Sequence, residues 1–218
     1  MRKDHVHEDA TASARGGSRS RDILLAAASD LLDERDPSDI SVTDIVNVAG
    51  VTRPTFYQAF GDLPTIFAAA AMARLRVAFV AVRHDLKPGE EIADAMHEAF
   101  ATVLNTVLDH GAFFLRVFHG PGGDRVVAAF TNFLAQRISA DTPIADALET
   151  SPLPASTTSH ALSAGLIWML IDWLQADDRC DVPTIARQMR EYLTRCVIGG
   201  LATPGPSAVL RLASQHSP

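Results

Sequence analysis

The sequence predicts an all-α protein, and three observations carry that expectation. Hydrophobic residues make up 47% of the 218 residues while aromatics reach only 6%. Ala and Leu dominate that apolar content, which favours helices over sheets. Apolar residues recur three and four apart along most of the chain, the period of a buried helical face. No segment shows the strict alternation of a half-buried strand, and no internal repeat is visible.

Composition excludes several classes. Two cysteines, Cys180 and Cys196, cannot build a disulfide scaffold or a four-thiolate zinc site, and both are read as unreactive. Arg74 and Arg76 interrupt the apolar run 66–82, and Asp172 interrupts the shorter run 161–174, so no membrane span is expected. No apolar stretch follows Met1-Arg2-Lys3, so no secretory signal is expected and the reading is a soluble, cytoplasmic protein. The net charge of −7 argues against a protein that coats nucleic acid nonspecifically. It leaves room for a small reading head on an acidic body.

The elements follow in order. Residues 1–18 carry Ser, Thr, Gly and mixed charge without apolar periodicity, and read as a flexible arm. Its His5-Val6-His7-Glu8-Asp9 cluster reads as solvated tail. Ile23, Leu24, Ala27, Leu31 and Leu32 share one helical face, with Ser20 as the expected N-cap and Asp36-Pro37 as the stop. Ser41 and Asp44 have capping-box spacing ahead of a short helix that Gly50 ends. Thr52 caps a second short helix with Pro54 in its first turn, and Gly61 breaks it. Asp62 then caps a long helix over 63–83. Further helices are expected over 90–109, 112–119, 124–139 (with an extension over 143–148), 157–176 and 183–198. Lys87-Pro88-Gly89 and Gly120-Pro121-Gly122-Gly123 read as turns, 150–154 as a loop, and 201–218 as a mobile tail.

Ser41 to Phe60 is the most informative stretch. Two short helices joined by Ala49-Gly50-Val51 have the small–Gly–apolar turn of a helix-turn-helix, whose second helix enters the major groove of DNA. Thr52 and Tyr57 offer hydroxyls to phosphate. Arg53 can donate twice to a guanine edge, and Gln58 can pair with adenine. Phe56 and Phe60 read as core pegs.

The joint pattern resembles the DNA-binding domain of the tetracycline-repressor (TetR/AcrR) transcriptional regulators. It comprises Ile23, Ala27 and Leu31, then Ser41-Val42-x-Asp44-Ile45, Ala49-Gly50-Val51-Thr52-Arg53-Pro54-Thr55-Phe56-Tyr57, and Phe60. The motif covers about residues 20–70. The resemblance implies about nine helices: a helix-turn-helix domain over 19–65, then a ligand-binding and dimerisation domain over 66–200. It implies a homodimer on double-stranded DNA with a palindromic operator, and a repressor released by an unidentified small-molecule effector. By position, Ser41, Thr43, Thr52 and Tyr57 would lie near phosphate, while Arg53, Thr55 and Gln58 would read bases. The sequence departs from the family where His and Lys are frequent, at Ala59 and Leu63. With an acidic head, this leaves a second reading: the same fold binding a ligand or protein with weak or lost DNA binding.

In the body, Asn105, Phe114, Phe118, Phe130, Trp168, Met169 and Asp172 are candidates for an apolar pocket with a few polar groups, against plain core filling. Ala161 and Gly165 would permit close helix approach, and Ile185, Met189 and Tyr192 recur at helical spacing. These five are candidates for the dimer interface, against burial within one chain. No cofactor or metal is expected. Asp94-x-x-His97 is the nearest approach to a di-iron motif and occurs once. With no glycine-rich phosphate loop and no nucleophile elbow, the chain does not read as an enzyme.

Overall fold

A computed structural model describes residues 5–83, 87, 90–140, 145, 148 and 153–198. Among these residues there are nine α-helices, one 3-10 turn and no strand. The helices are α1 His5–Glu34, α2 Val42–Ala49, α3 Arg53–Ala59, α4 Leu63–Val80, α5 Ile92–Asp109, α6 Gly111–His119, α7 Gly123–Ala140, α8 Ala155–Gln175 and α9 Val182–Ile198. The 3-10 turn, Pro37–Asp39, separates α1 from α2.

Helices α1, α2 and α3 form the head around Leu24, Ala28, Leu32, Ile45, Phe56 and Phe60. Truncating a fully buried ring such as Phe56 to Ala costs about 3–5 kcal/mol. The long helix α4 runs from the head into the body, packing on α1 at one side and on α5, α6 and α7 at the other. In the body, α7 lies along α8, and α9 lies on α5 and α8. One continuous apolar core joins head and body.

By length and composition alone α4 is apolar enough to cross a bilayer, despite Arg74 and Arg76. In the fold its apolar face is core: Ile66, Phe67, Ala70, Ala71, Leu75 and Ala78 are buried against neighbouring helices.

The main departure from the sequence expectation is at α1. The helix begins at His5, not at Ser20, so residues 5–18 are helical instead of an open arm. Ala10, Ala12 and Ala14 are strong helix formers and no proline intervenes, so a helix anchored by Leu24 and Ala28 extends backwards through Gly16-Gly17. Helix α4 stops at Val80, short of 83, and α5 starts at Ile92. Glu90 does not enter α5. It accepts the Lys87 backbone N–H (2.7 Å) and Arg83 (2.7 Å). Of the expected 143–148 extension, only Ala145 and Leu148 lie within the described residues, and both are helical. The tail over 201–218, most of the 150–154 loop, and Pro88-Gly89 lie outside them.

Candidate nucleic-acid interface and the body behind it

Local chemistry builds the head as the spacing predicts. The Ser41 N–H donates to Asp44 Oδ2 at 2.8 Å, and the Asp44 N–H donates back to Ser41 Oγ at 3.2 Å. The capping box is complete. The Ser41 hydroxyl also donates to Asp44 Oδ2 (2.6 Å), and these bonds hold the Asp44 carboxyl below the usual range. Gly50 ends α2 at φ +64, a left-handed conformation that a side chain disfavours. Thr52 caps α3, with its Oγ1 2.9 Å from Thr55 Oγ1.

Helix α3 has two sharply different faces. Phe56 and Phe60 are buried, as the core-peg reading expects. Thr52, Arg53, Pro54, Tyr57 and Gln58 are exposed, and Thr55 is half-buried. The Tyr57 ring stands edge-on to Phe56 at 5.5 Å, and the residue is 54% exposed. Arg53 hydrogen-bonds Thr43 Oγ1, linking the start of α3 to the start of α2. Ser41, Thr43, Thr52, Arg53, Thr55, Tyr57 and Gln58 therefore come from the adjoining ends of α2 and α3 and from one exposed side of α3.

Three arginines outside that set bind the head to the body, and no local spacing announces them. Arg74 of α4 holds Asp33 of α1 with both terminal nitrogens (Nη1–Oδ1 2.6 Å) and donates from Nε to Ser29 Oγ at 3.1 Å. Its guanidinium lies 3.9 Å above the Phe113 ring of α6. The Arg74 hydrogen bonds hold the Asp33 carboxyl below its ordinary range. Arg116 of α6 donates to the carbonyls of Leu32 (3.1 Å) and Asp33 (2.8 Å), near the C-terminus of α1. Arg125 of α7 donates to both Asp62 oxygens (3.0 and 2.9 Å) and to Thr65 Oγ1 (2.9 Å), at the start of α4.

The turn between α6 and α7 touches the head directly. A Cβ on Gly120 would fall 2.6 Å from Pro37 Cγ, and one on Gly122 would fall 2.5 Å from Pro64 Cβ. The body thus rests on two prolines, one after α1 and one in the first turn of α4.

The pocket candidates separate. Phe114, Phe118 and Phe130 form one buried ring cluster with centroids 5.4–6.3 Å apart. Asn105, Trp168 and Asp172 do not join it. All three are exposed, and Trp168 shows 66% of its surface. Met169 is half-buried. The reason is helical phase: Leu162, Leu166, Leu170 and Trp173 form the inward face of α8, so 168 and 172 fall on the outward one. His97 on α5, which the sequence offers only within Asp94-x-x-His97, has its Nδ1 buried with no partner among the described residues.

The interface candidates need correction too. Ile185 and Met189 are each 4% exposed within a single chain, in the core that α9 shares with α5 and α8. Gly165 makes room for Tyr192 of the same chain: a Cβ there would meet the Tyr192 hydroxyl at 2.1 Å. The Tyr192 hydroxyl donates to the Ala161 carbonyl at 3.4 Å, and burial pushes its pKa up. Ala161 remains exposed, on one stripe with Ala164, Trp168 and Asp172.

Comparison with known proteins fits this architecture. Residues 24–70 match the family model of bacterial regulatory proteins of the tetR family. No curated protein matches the sequence. Among solved structures, a tetR-family transcriptional regulator from Streptomyces coelicolor superimposes with a TM-score of 0.58 at 17% identity, covering 92% of this chain and 90% of that one. Thermus thermophilus FadR, a TetR-family repressor in complex with lauroyl-CoA, gives 0.64 at 18% identity, covering 85% and 97%. RolR in complex with resorcinol gives 0.59 at 20% identity, covering 84% and 96%. At these identities the likeness is one of fold.

Proposed function

We propose that the chain is a DNA-binding transcriptional regulator of the TetR family, whose model matches residues 24–70, and that it is a homodimeric repressor. In this reading it holds a palindromic operator and leaves it when a small apolar or amphipathic molecule enters the body. The observation that carries the proposal is the two-faced α3: an apolar face buried in the head and an exposed face bearing Arg53, Tyr57 and Gln58. Seated in a major groove, Arg53 would read guanine and Gln58 adenine, with Thr55 beside them. Ser41, Thr43, Thr52 and Tyr57 would lie along the phosphates.

Two recognition helices one turn of DNA apart require two subunits. The outward stripe of α8, with Trp168 at its centre, supports a symmetric interface, since a large exposed aromatic is a frequent anchor of such contacts. Solved relatives of the same fold carry lauroyl-CoA and resorcinol, which supports a small organic effector here. His97 Nδ1 would be available to a polar group on that molecule. A shift of α6 or α7 around an effector would pull on Arg116 and Arg125 and so reposition α1 and α4.

Selection of bound duplexes from a random library, followed by fluorescence anisotropy, tests the proposal. A palindromic winner bound far above scrambled duplex is expected. No enrichment at low salt from folded, dimeric protein would refute it and favour a ligand- or protein-binding role for the same fold. An effector that binds the body and leaves operator affinity unchanged would refute the release mechanism.

A further inference from the structure

The recognition helix has a second cation at its far end, and this one comes from α1. Arg21 is exposed, yet its Nη1 donates to the Ala59 carbonyl at 2.5 Å, at the C-terminus of α3. Its guanidinium carbon lies 4.2 Å from the centroid of the Phe60 ring, which is itself buried. The helix C-terminus carries partial negative charge and the ring face is electron-rich, so both contacts attract the cation. A long and otherwise mobile side chain is thereby fixed beside the reading face.

We propose that Arg21 is a DNA-phosphate contact, held at the C-terminal end of the recognition helix by Ala59 and Phe60. Three observations lead there. First, its charge is not cancelled. Among the described residues Arg21 makes no ion pair, whereas Arg35 lies 3.7 Å from Asp44 and Arg74 grips Asp33. Second, most of its hydrogen-bonding capacity is unspent among the described residues. A guanidinium has five N–H donors in a planar fork that suits phosphate oxygens, and Ala59 takes one of them. Third, its place complements Arg53. The two cations stand at opposite ends of a seven-residue helix, roughly 10 Å long at 1.5 Å per residue. A helix lying in a major groove has a phosphate strand on either side, so while Arg53 at one end faces base edges, a cation at the other end can reach backbone.

This inference rests on the operator-binding reading above. The competing role is purely architectural: Arg21 caps α3 and never meets DNA. A salt series separates the two, because a phosphate contact releases counterions and a positioning residue does not. The experiment uses the full-length protein, the selected operator and a scrambled duplex, with wild type, Arg21→Gln and Arg21→Lys. For Arg21→Gln, the slope of log affinity against log salt should become shallower by about 0.9 per subunit, or about 1.8 for a dimer. The loss should be the same factor on operator and scrambled duplex. Arg21→Lys should recover the slope. An Arg21→Gln protein that loses affinity with an unchanged slope would make Arg21 architectural and overturn the proposal, as would unchanged affinity. Wild-type protein that binds no duplex overturns the operator reading itself, a separate and recognisable failure.

Discussion

Substituting Gly122 by Ala tests how tightly the body is seated on the head. Gly122 lies at φ +86, and its added Cβ would stand 2.5 Å from Pro64 Cβ and 3.0 Å from Pro64 Cα. The obstacle cannot swing aside, because a proline ring has no free rotamer and Cα is backbone. Arg125, bound to Asp62 and Thr65 on both sides of Pro64, resists a shift of the turn. The left-handed backbone costs about 1–2 kcal/mol once a Cβ is present. Overpacking a close contact adds about 1–3 kcal/mol. Together they predict a stability loss of about 2–5 kcal/mol, a large share of a typical domain's margin. Gly50→Ala is the control: it has φ +64 but no atom within 4 Å of the added Cβ, so only the backbone cost of about 1–2 kcal/mol applies. Urea unfolding at one fixed protein concentration measures both. A Gly122→Ala protein no less stable than Gly50→Ala would refute the seated-turn argument. If the turn is instead displaced, the start of α4 moves with it, and operator affinity should change in Gly122→Ala.

Three further outcomes are expected. Arg53→Ala should cost about 1–3 kcal/mol at one base pair per half-site and relax specificity there. An equal loss on every duplex would make it a phosphate contact. Trp168→Glu should leave the fold intact, since the residue is 66% exposed, but sediment as a monomer and bind operator weakly. A dimer of unchanged affinity would remove α8 from the interface. The link between the end of α4 and the start of α5 should weaken in acid. Arg83, and then the Lys87 backbone, hold the Glu90 carboxyl at about 2, below its ordinary 4.5. Because the folded value is the lower one, Glu90's contribution is complete above pH 4.5 and is lost as pH falls toward 2. Glu90→Gln should flatten that part of a urea-midpoint profile. An unchanged profile would mean that the ion pair does not form in solution.

Legibility in the sequence followed the range of the interaction. The box of Ser41 and Asp44, the left-handed Gly50 and the caps at Thr52 and Asp62 all act within three residues, so spacing alone identified them. The buried faces of α2 and α3 followed from the same short-range period. The contacts of Arg21, Arg74, Arg116 and Arg125 with the head span 38 to 84 residues, and no local pattern encodes them. The body failed differently. Trp168 was read by residue type, and Ile185 and Met189 by a helical spacing that does not say whether their shared face meets this chain or a partner. In the fold the tryptophan faces out, while Ile185 and Met189 face into their own chain, the alternative left open for them. A helix that is apolar on several sides, like α8, does not announce which side is covered.

The acidic balance of the head also changes meaning once its partners are known. Counted along the chain, aspartates outnumber arginines and argue against phosphate. Three of those aspartates do structural work at defined places. Asp44 closes the cap of α2 and lies near Arg35, Asp62 caps α4 and binds Arg125, and Asp33 is held by Arg74. Asp44 and Asp62 are the carboxylates that begin the helices on either side of α3, and each has a cation at hand. The field at the reading face is set by what remains unpaired near it, and there Arg21 and Arg53 have no carboxylate partner among the described residues. In the operator-binding reading, a net charge summed over the head therefore understates its capacity for phosphate, because the carboxylates that flank α3 already serve as caps and ties.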